Sequence, residues 1–461
     1  MSFDSASNWT LRPLGECIDL IIDHRGKTPR KLGSNWVDSG VPTISAKNVS
    51  GGKLVAKESI RFVSHDIYKK WMKEDVRKGD CLLVSEGATL GECLYWDEDY
   101  PVVLGQRIFC IRANPEILNP RYLYAYMTSE AFQQEIRSRA TGSSVPGLRQ
   151  TEVLKLMVLA PPLDEQAIIG NTLFSVNEKI KSNTKTNRTL EQMAQAIFKS
   201  WFVDFEPVKA KIAALEAGGS EEDALLAAMQ AISGKGEAEL TRLQAEQPEQ
   251  YAELRATAEL FPSTMRDSEL GEIPEGWEPA PLSELFELHR GFDLPQKSRE
   301  EGPYEVYAAG GLHGTHSQYK MEPPGIITGR SGVIGNVYLS LKKYWPLNTT
   351  LYVRQFRSCG PYYAYHLLKT LDLKTLNSGS AVPSLNRNFV HSISVINPGS
   401  TVLNKFESLS SSLFEQVVQN IDQNELLSTL RDTLLPKLLS GELSVSTAED
   451  QLAEAAEPAN V

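Results

Sequence analysis

Seven consecutive positions, Arg25-Gly26-Lys27-Thr28-Pro29-Arg30-Lys31, hold four cations and a hydroxyl just after a β-rich run, and Arg290-Gly291-Phe292-Asp293 follows a comparable run later in the chain. Arginine can grip guanine with two parallel N–H bonds, while lysine, serine, threonine and backbone N–H groups suit phosphate oxygens. Ser45, Lys47 and Asn48 in one half, and His313, His316, Ser317 and Gln318 in the other, sit on comparable polar loops, with Arg107 and Arg330 beside short apolar runs. A further loop, Gly142 to Arg149, carries Ser143, Ser144 and Arg149, and its echo from Gly379 to Arg387 carries Ser380, Asn386 and Arg387. Together these are candidates for contact with duplex DNA. For any one of them, a solvated loop residue is an equally good reading, and the glycines and prolines can serve turn geometry alone.

The chemistry-bearing patterns of enzymes are missing. There is no P-loop, G-x-S-x-G, H-E-x-x-H or dinucleotide fingerprint in its strand and helix context. Nor is there an Asn/Asp-Pro-Pro-aromatic tetrad of the kind that holds a flipped base, so the chain is not expected to methylate by itself. His313-x-x-His316 lies in a glycine-rich loop, which favours polar contact or solvent over a metal pair. Cys17, Cys81, Cys93, Cys110 and Cys359 are odd in number and never spaced C-x-x-C, as expected of reduced, buried thiols.

The formal net charge of −11 is unevenly spread. Residues 1–160 net +2, 161–205 net 0, 206–276 net −9, 277–400 net +3 and 401–461 net −7. The acid sits in a central insert and a tail, so the two large modules are slightly basic, which permits a nucleic-acid partner without demanding one.

What must position these loops is a duplication. Gly142-Ser143-Ser144-Val145-Pro146-Gly147-Leu148 returns 237 positions later as Gly379-Ser380-Ala381-Val382-Pro383-Ser384-Leu385, and Asn183 and Asn187 return as Asn420 and Asn424. Without a gap, residues 142–201 share 13 identities in 60 with their echoes, where ordinary frequencies would give roughly four. Residues 9–160 read as an α+β module, with β-rich runs at Cys17 to Ile22, Val41 to Ile44, Cys81 to Val84 and Gln106 to Ile111, and one helical stretch from Pro120 to Arg139. Residues 277–396 repeat the order: Gly325 to Gly329, Thr350 to Arg354 and Pro361 to Thr370 parallel Lys78 to Ser85, Ile108 to Arg112 and Pro120 to Thr128. The scaffold is shared and the loops differ, as expected of two modules that read different things.

Each module ends in a proline stop and a long helical pattern. Ile169, Leu173, Val176, Ile180, Asn183, Asn187, Leu190, Ala194, Ile197 and Trp201 step by fours and threes, the seam of a coiled coil; the shifted seam runs Phe406, Ser410, Leu413, Val417, Asn420, Asn424, Leu427, Arg431, Leu434 and Leu438. Helices of about 35 to 40 residues would be roughly 50 to 60 Å long. If they pack antiparallel about a pseudo-twofold axis, facing residues share one index sum, 607, which pairs Asn183 with Asn424, Asn187 with Asn420, Ile180 with Leu427, Leu190 with Val417 and Trp201 with Phe406. Seam asparagines cost stability and fix register, because one alignment lets the amides satisfy each other.

The expected organisation is a first module (1–160), a first helix (161–205), an acidic helical insert or linker (206–276), a second module (277–398), a second helix (399–440) and a tail (441–461) expected to be disordered. Within the insert, short helices joined at Gly218-Gly219 and Gly234-Lys235-Gly236 read as a solvated spacer, slightly ahead of a docking element. No apolar run is long enough to span a bilayer and no signal-peptide pattern opens the chain, so a cytoplasmic protein with no membrane partner is expected.

Six phrases resemble the specificity subunits of Type I restriction-modification systems: Ile22-Asp23-His24-Arg25-Gly26-Lys27-Thr28-Pro29, Gly105-Gln106-Arg107-Ile108-Phe109, Pro161-Pro162-Leu163-Asp164-Glu165-Gln166, Trp201-Phe202-Val203-Asp204-Phe205, Gly271-Glu272-Ile273-Pro274-Glu275-Gly276-Trp277 and Leu434-Leu435-Pro436-Lys437-Leu438-Leu439-Ser440-Gly441. The likeness covers residues 9 to about 445. The resemblance implies two target recognition domains, each reading half of a split double-stranded DNA site, with the two helices as a ruler between them. It also implies two modification subunits that bind S-adenosylmethionine and methylate adenine at N6, and two restriction subunits that use ATP and Mg. This chain would bind no cofactor and carry no catalytic residue. The insert from about 210 to 260 is longer than the family's usual linker.

Three rivals remain open on the sequence. A specificity subunit of a modification-only complex would look the same. A two-domain coiled-coil scaffold without DNA affinity would lack salt-dependent duplex binding. A standalone endonuclease is disfavoured by the missing metal cluster.

Overall fold

The structure, a computed structural model, describes residues 9–142, 145–377 and 382–443. It divides into two compact units, Met1–Thr184 with Ile421–Val461 and Lys185–Asn420.

In unit 1 the run Leu82, Leu83, Val84 and the run Ile108 to Ile111 are fully buried, although a half-buried strand should alternate. The two faces account for it. Cys81, Leu83, Phe109 and Ile111 point into one apolar core with the helices, while Leu82, Val84, Ile108 and Cys110 point into another. The sheet between these cores is antiparallel, in the order Ile18–Asp23, Ile108–Ala113, Cys81–Val84, Cys93–Tyr95. A three-stranded sheet covers its second core: Arg61–Val63 pairs antiparallel with Val41–Ile44, which pairs parallel with Val103–Leu104. Thr10–Pro13 pairs with Met157–Ala160 where the module meets the first long helix.

Three readings need correction here. The helical stretch from Pro120 is two helices, Pro120–Met127 and Glu130–Arg139, because the Ser129 hydroxyl accepts from the Phe132 N–H and restarts the turn as an N-cap. A helix at His65–Trp71, capped by Ser64, was not anticipated. The run beginning at Gln106 becomes a strand only at Ile108, since Arg107 is left-handed (φ 65°) and cannot extend a strand.

Unit 2 repeats all three sheets. Its central order is Phe286–Arg290, Thr350–Phe356, Gly325–Gly329, Val337–Ser340. Gly311–His316 pairs with Tyr304–Ala308, which pairs parallel with Tyr344–Pro346, and Glu278–Pro281 pairs with Ser394–Asn397. The acidic insert is more than a solvated spacer. Glu206–Glu216, Glu221–Ser233, Glu237–Glu246 and Pro248–Glu259 are helices, and Leu225, Ala228, Met229, Leu240 and Ala258 close a small core among them. A polar bond also ties the two ends of the insert together, the buried Lys211 Nζ donating to the Phe261 carbonyl.

The long helices are Leu163–Phe202 and Ser400–Leu439, called here the first and second seam helices. In unit 1 the Asn183 amide donates to Asn424 Oδ1 at 3.0 Å and to Gln423 Oε1 at 2.8 Å, and Ile180 and Leu427 join one core. In unit 2 the Asn420 amide donates to Asn187 Oδ1 at 2.7 Å, Leu190 and Val417 are buried, and Trp201 packs edge-on to Phe406. Both asparagine pairs have the index sum of an antiparallel seam. Two expected seam positions shift by one residue: Phe198 and Phe414 are buried where Ile197 and Leu413 are intermediate, since 3.6 residues per turn drifts from a strict seam. All five cysteines are free and buried. No helix among the described residues is long and apolar enough to cross a membrane.

Candidate nucleic-acid interface

The antiparallel pairing brings four connections to one edge of each central sheet. In unit 1 they are the turn after Val84, the approach to Ile108, the loop after Asp23 and the duplicated loop ending at Leu148. The duplicated loop is clasped to the turn by backbone: the Leu148 N–H donates to the Ser85 carbonyl at 2.8 Å, and the Gly87 N–H to the Pro146 carbonyl at 2.9 Å. Unit 2 repeats the clasp, with Leu385 N–H to the Arg330 carbonyl at 2.8 Å and Gly332 N–H to the Pro383 carbonyl at 2.9 Å. Gly87 and Gly332 both have positive φ (102° and 89°), the conformation that lets the turn meet the loop.

The sequence reading missed this turn. Its signal is a pair of left-handed glycines, Gly87 and Gly91 in one copy and Gly332 and Gly335 in the other. The spacing differs by one residue between copies, which hides the match from a constant offset. Also missed were the residues that lock the neighbouring loop. Gln106 donates from Nε2 to the Lys27 carbonyl at 2.7 Å and accepts from the Gly26 N–H at 3.2 Å. In unit 2 Asn348 does related work, donating to Asp293 while its carbonyl accepts from the Arg330 guanidinium at 3.3 Å.

The candidate side chains fall into two groups. Arg30, Lys31, Lys47 and Arg149 are exposed in unit 1, as are Arg290, His313, Gln318 and Arg387 in unit 2. Several have local partners: Lys31 Nζ donates to the Gly26 carbonyl at 2.6 Å, Lys47 Nζ to the Ser59 carbonyl at 3.2 Å, Arg290 to Asp293 at 3.3 Å, and Arg299 meets His313 Nδ1 at 2.9 Å. Arg107 pairs with Glu86 at 3.0 Å with half of its side chain still in solvent. Exposed pairs of this kind are worth little and exchange readily for a phosphate or a base edge.

The second group holds the scaffold. Asn48 is fully buried, a correction to its reading as a DNA contact: Oδ1 accepts from the Ser45 N–H and hydroxyl, and Nδ2 donates to the Ala56 carbonyl and the Ser59 hydroxyl. His316 is likewise buried, edge-on to Trp345 and bonded to the Glu300 backbone. Arg25 is held by Asp23 in a two-pronged pair, donates to the Leu148 carbonyl at 3.0 Å and lies over the Phe109 ring, so it ties the duplicated loop to the sheet. Lys27 Nζ donates to the Trp71 carbonyl at 2.8 Å, and burial, then the nearby Lys73, hold its pKa below the ordinary lysine value. Thr28 accepts from the Lys31 N–H, Ser317 donates to Glu300, and Asn386 caps the helix Arg387–His391. Ser143, Ser144 and Ser380, like the tail from 444 onward, lie outside the described residues.

Each unit thus presents an edge tied by backbone bonds that both copies share and fringed by polar and cationic side chains that differ between them. Among the described residues no three His, Cys, Asp or Glu side chains are grouped as metal ligands, and His313 and His316 enter different environments.

Comparison with known proteins agrees with that duplication. The sequence profile of the Type I restriction modification DNA specificity domain matches twice, over residues 6–192 and 274–400. The Type I restriction enzyme HindI specificity subunit of Haemophilus influenzae is 34% identical over 410 residues, spanning 80% of this chain and 88% of that protein. The MjaIX specificity subunit of Methanocaldococcus jannaschii is 23% identical over 448 residues, 91% of this chain and 90% of that one. In fold, the crystal structure of the Type-I restriction-modification system S subunit from M. genitalium superposes with a TM-score of 0.54 at 18% identity, covering 95% of this chain and 98% of that one. The chain belongs to the Type I restriction-modification DNA specificity family.

Proposed function

We propose that this chain is the DNA-recognition subunit of a Type I restriction-modification assembly, and that its two units read the two halves of a bipartite, asymmetric duplex site. The observation that carries the reading is the sheet edge present twice with one backbone plan and two sets of polar side chains. A common frame with different fringes is what reading two unlike sequences with one docking mode requires. Adenine N6 methylation and restriction fall to partner subunits, two of each kind, which hold S-adenosylmethionine, ATP and Mg; this chain supplies the address and no reacting group. In this reading the contacts fall to Arg30, Lys31, Lys47, Arg107 and Arg149 in unit 1 and to Arg290, His313, Gln318, Arg330 and Arg387 in unit 2, all of them exposed except the half-buried Arg330.

The test is a map of N6-methyladenine in a methylation-free host expressing this chain with its modification subunit. A split motif with an unspecified gap is expected, and exchange of residues 9–160 for those of another family member should change one half only. A motif that is contiguous, or changes in both halves, would overturn the two-reader assignment. Absence of salt-dependent duplex binding by the assembled complex would favour the scaffold alternative.

A further inference from the structure

Each recognition module rests on its seam helix through a helix that opens Asn119-Pro120 in unit 1 and Gly360-Pro361 in unit 2. One anchor is common to both. The Tyr122 hydroxyl donates to the Leu159 carbonyl at 2.6 Å, and the Tyr363 hydroxyl to the Ile396 carbonyl at 3.3 Å, equivalent bonds on equivalent strands.

The satisfaction of the helix's first N–H groups is opposite in the two units. In unit 1 the cap comes from the module: Asn119 Oδ1 accepts from the Arg121 and Tyr122 N–H groups at 2.9 and 3.2 Å. The seam helix makes room with Gly170, where a Cβ would stand 2.6 Å from the Tyr122 nitrogen. In unit 2 the module offers only Gly360, and the cap comes from the seam helix. Glu407, which stands 237 positions after Gly170, accepts from the Tyr362 and Tyr363 N–H groups at 3.1 and 3.2 Å. A Cβ on Gly360 would lie 2.2 Å from the Glu407 carboxyl carbon. The neighbouring position changes in step. Gln166 bonds the Asn119 N–H and the Ile117 and Pro161 carbonyls in unit 1, and its equivalent in unit 2 is the buried Leu403.

We infer that these reciprocal pairs, Asn119 with Gly170 and Gly360 with Glu407, decide which recognition module each seam helix can carry. The first seam helix fits a module whose docking helix opens Asn-Pro; the second fits one that opens Gly-Pro. The mismatches fail for different physical reasons. A Gly-Pro module on Gly170 leaves buried N–H groups without an acceptor. An Asn-Pro module on Glu407 drives an amide oxygen and a carboxylate toward the same two donors, and one of these acceptor groups is then buried unpaired.

The native chain, assembled with its modification subunit, tests this through exchange of the cap across the pair. Gly360→Asn alone should lower the thermal midpoint and cut methylation at the unit 2 half-site about tenfold, the scale of a lost buried cap. The double variant Gly360→Asn with Glu407→Gly, which installs the unit 1 arrangement, should return both to within about twofold of the native chain. Asn119→Gly with Gly170→Glu should behave in the same way in unit 1. If a single variant does not fold, recovery of soluble complex by its double is the readout, and Glu407→Gln, which keeps an acceptor, should fold throughout. A double variant no better than its worse single would overturn the pairing rule. The methylation arm rests on the function proposed above, but the thermal midpoint does not. Rescue of folding without methylation would therefore count against that function and leave the pairing rule standing.

Discussion

The seam helices end against a module in unit 1 and again in unit 2, and each unit solves that contact with different chemistry. In unit 1 the facing pair is Ile169 with Leu438, set in a core with Leu173, Val176, Leu434 and Leu439. In unit 2 the facing pair is Trp201 with Phe406, and around it gather Phe198, Phe202, Tyr363, His366, Phe261 and Trp277, with ring centroids 5.0 to 6.3 Å apart. Both sets are almost wholly buried. The difference teaches what the duplication has had to keep. Backbone register, the asparagine pairs, the tyrosine anchor and the loop clasp persist in both copies, because each joins polar groups that would otherwise have to find another partner away from water. Core side chains have diverged freely, because apolar filling need only conserve volume and contact. The aromatic end also seats the insert, through Trp201 against Phe261.

The strongest way to break this comparison is to empty each end in turn. Trp201→Ala should cost about 4 kcal/mol and Leu438→Ala about 3 kcal/mol, within the ranges for large-to-small core changes. Chemical denaturation with hydrogen exchange read separately on Pro361–Thr370 and Pro120–Met127 would assign each loss to its own unit. If Trp201→Ala also strips protection from the insert helices while Leu438→Ala does not, the seating role is supported; protection retained in the insert would refute it.

The next effect depends on pH and belongs to the aromatic end. His366 is 3% exposed, stacked on Phe198 at 5.4 Å and edge-on to Phe406. Burial, with a smaller contribution from Lys369, pushes its pKa down to about 4. Because the folded value lies below the unfolded one, the unfolded chain binds the extra proton. Stability is therefore present above pH 6.5 and is lost as pH falls from there toward 4, by up to about 3 kcal/mol. Glu407 opposes this. Burial raises its pKa, and the folded state then favours the protonated carboxyl, so its contribution declines as pH rises out of the ordinary carboxylate range. Acid should loosen Pro361–Thr370 before Pro120–Met127, and His366→Phe should remove most of that difference in exchange rates. An acid response unchanged by His366→Phe would assign it elsewhere.

Smaller effects should separate the two asparagine pairs. In unit 2 the Asn187 oxygen depends on Asn420, whereas in unit 1 the Asn183 amide retains Gln423 when Asn424 is lost. Asn420→Ala should then cost about 2 kcal/mol and Asn424→Ala about 1 kcal/mol, the difference between an orphaned and a re-satisfied buried amide. Equal losses in thermal unfolding would mean that Gln423 does not substitute.

Much of this molecule was legible in the chain because its strongest signals are periodic. A constant offset of 237 links the duplicated loop and the seam asparagines, and an antiparallel register then follows from one index sum. What stayed hidden depends on contacts between positions that no period connects. Asn48 looks like any polar loop residue until Ala56 and Ser59 close around it. The Gly170 and Glu407 exchange is invisible without knowing that each faces the start of a module helix. The short helices of the insert were legible but their core was not, because two of the five residues that close it are alanines and a sequence rich in Ala and Glu reads equally as a solvated helix. The site was legible as a set of loops but not side chain by side chain, since Arg25 and Arg30 share a motif yet one braces the frame while the other faces solvent.

That last distinction supplies the finest test. Exposed cations that meet phosphate should act on affinity alone, so Lys47→Ala should weaken duplex binding by the assembled complex for every sequence. It should also flatten the log–log salt slope by about 1, leaving the methylated motif unchanged. Arg25→Ala should behave differently. By freeing Asp23 and the Leu148 carbonyl it loosens the clasp that sets the angle of the loops, and methylation should fall at the unit 1 half-site with little change in salt slope. The two variants remove the same charge from the same module. If they gave the same salt slope and the same loss, frame and fringe would not be separate, and the division of labour inferred at the sheet edge would fail.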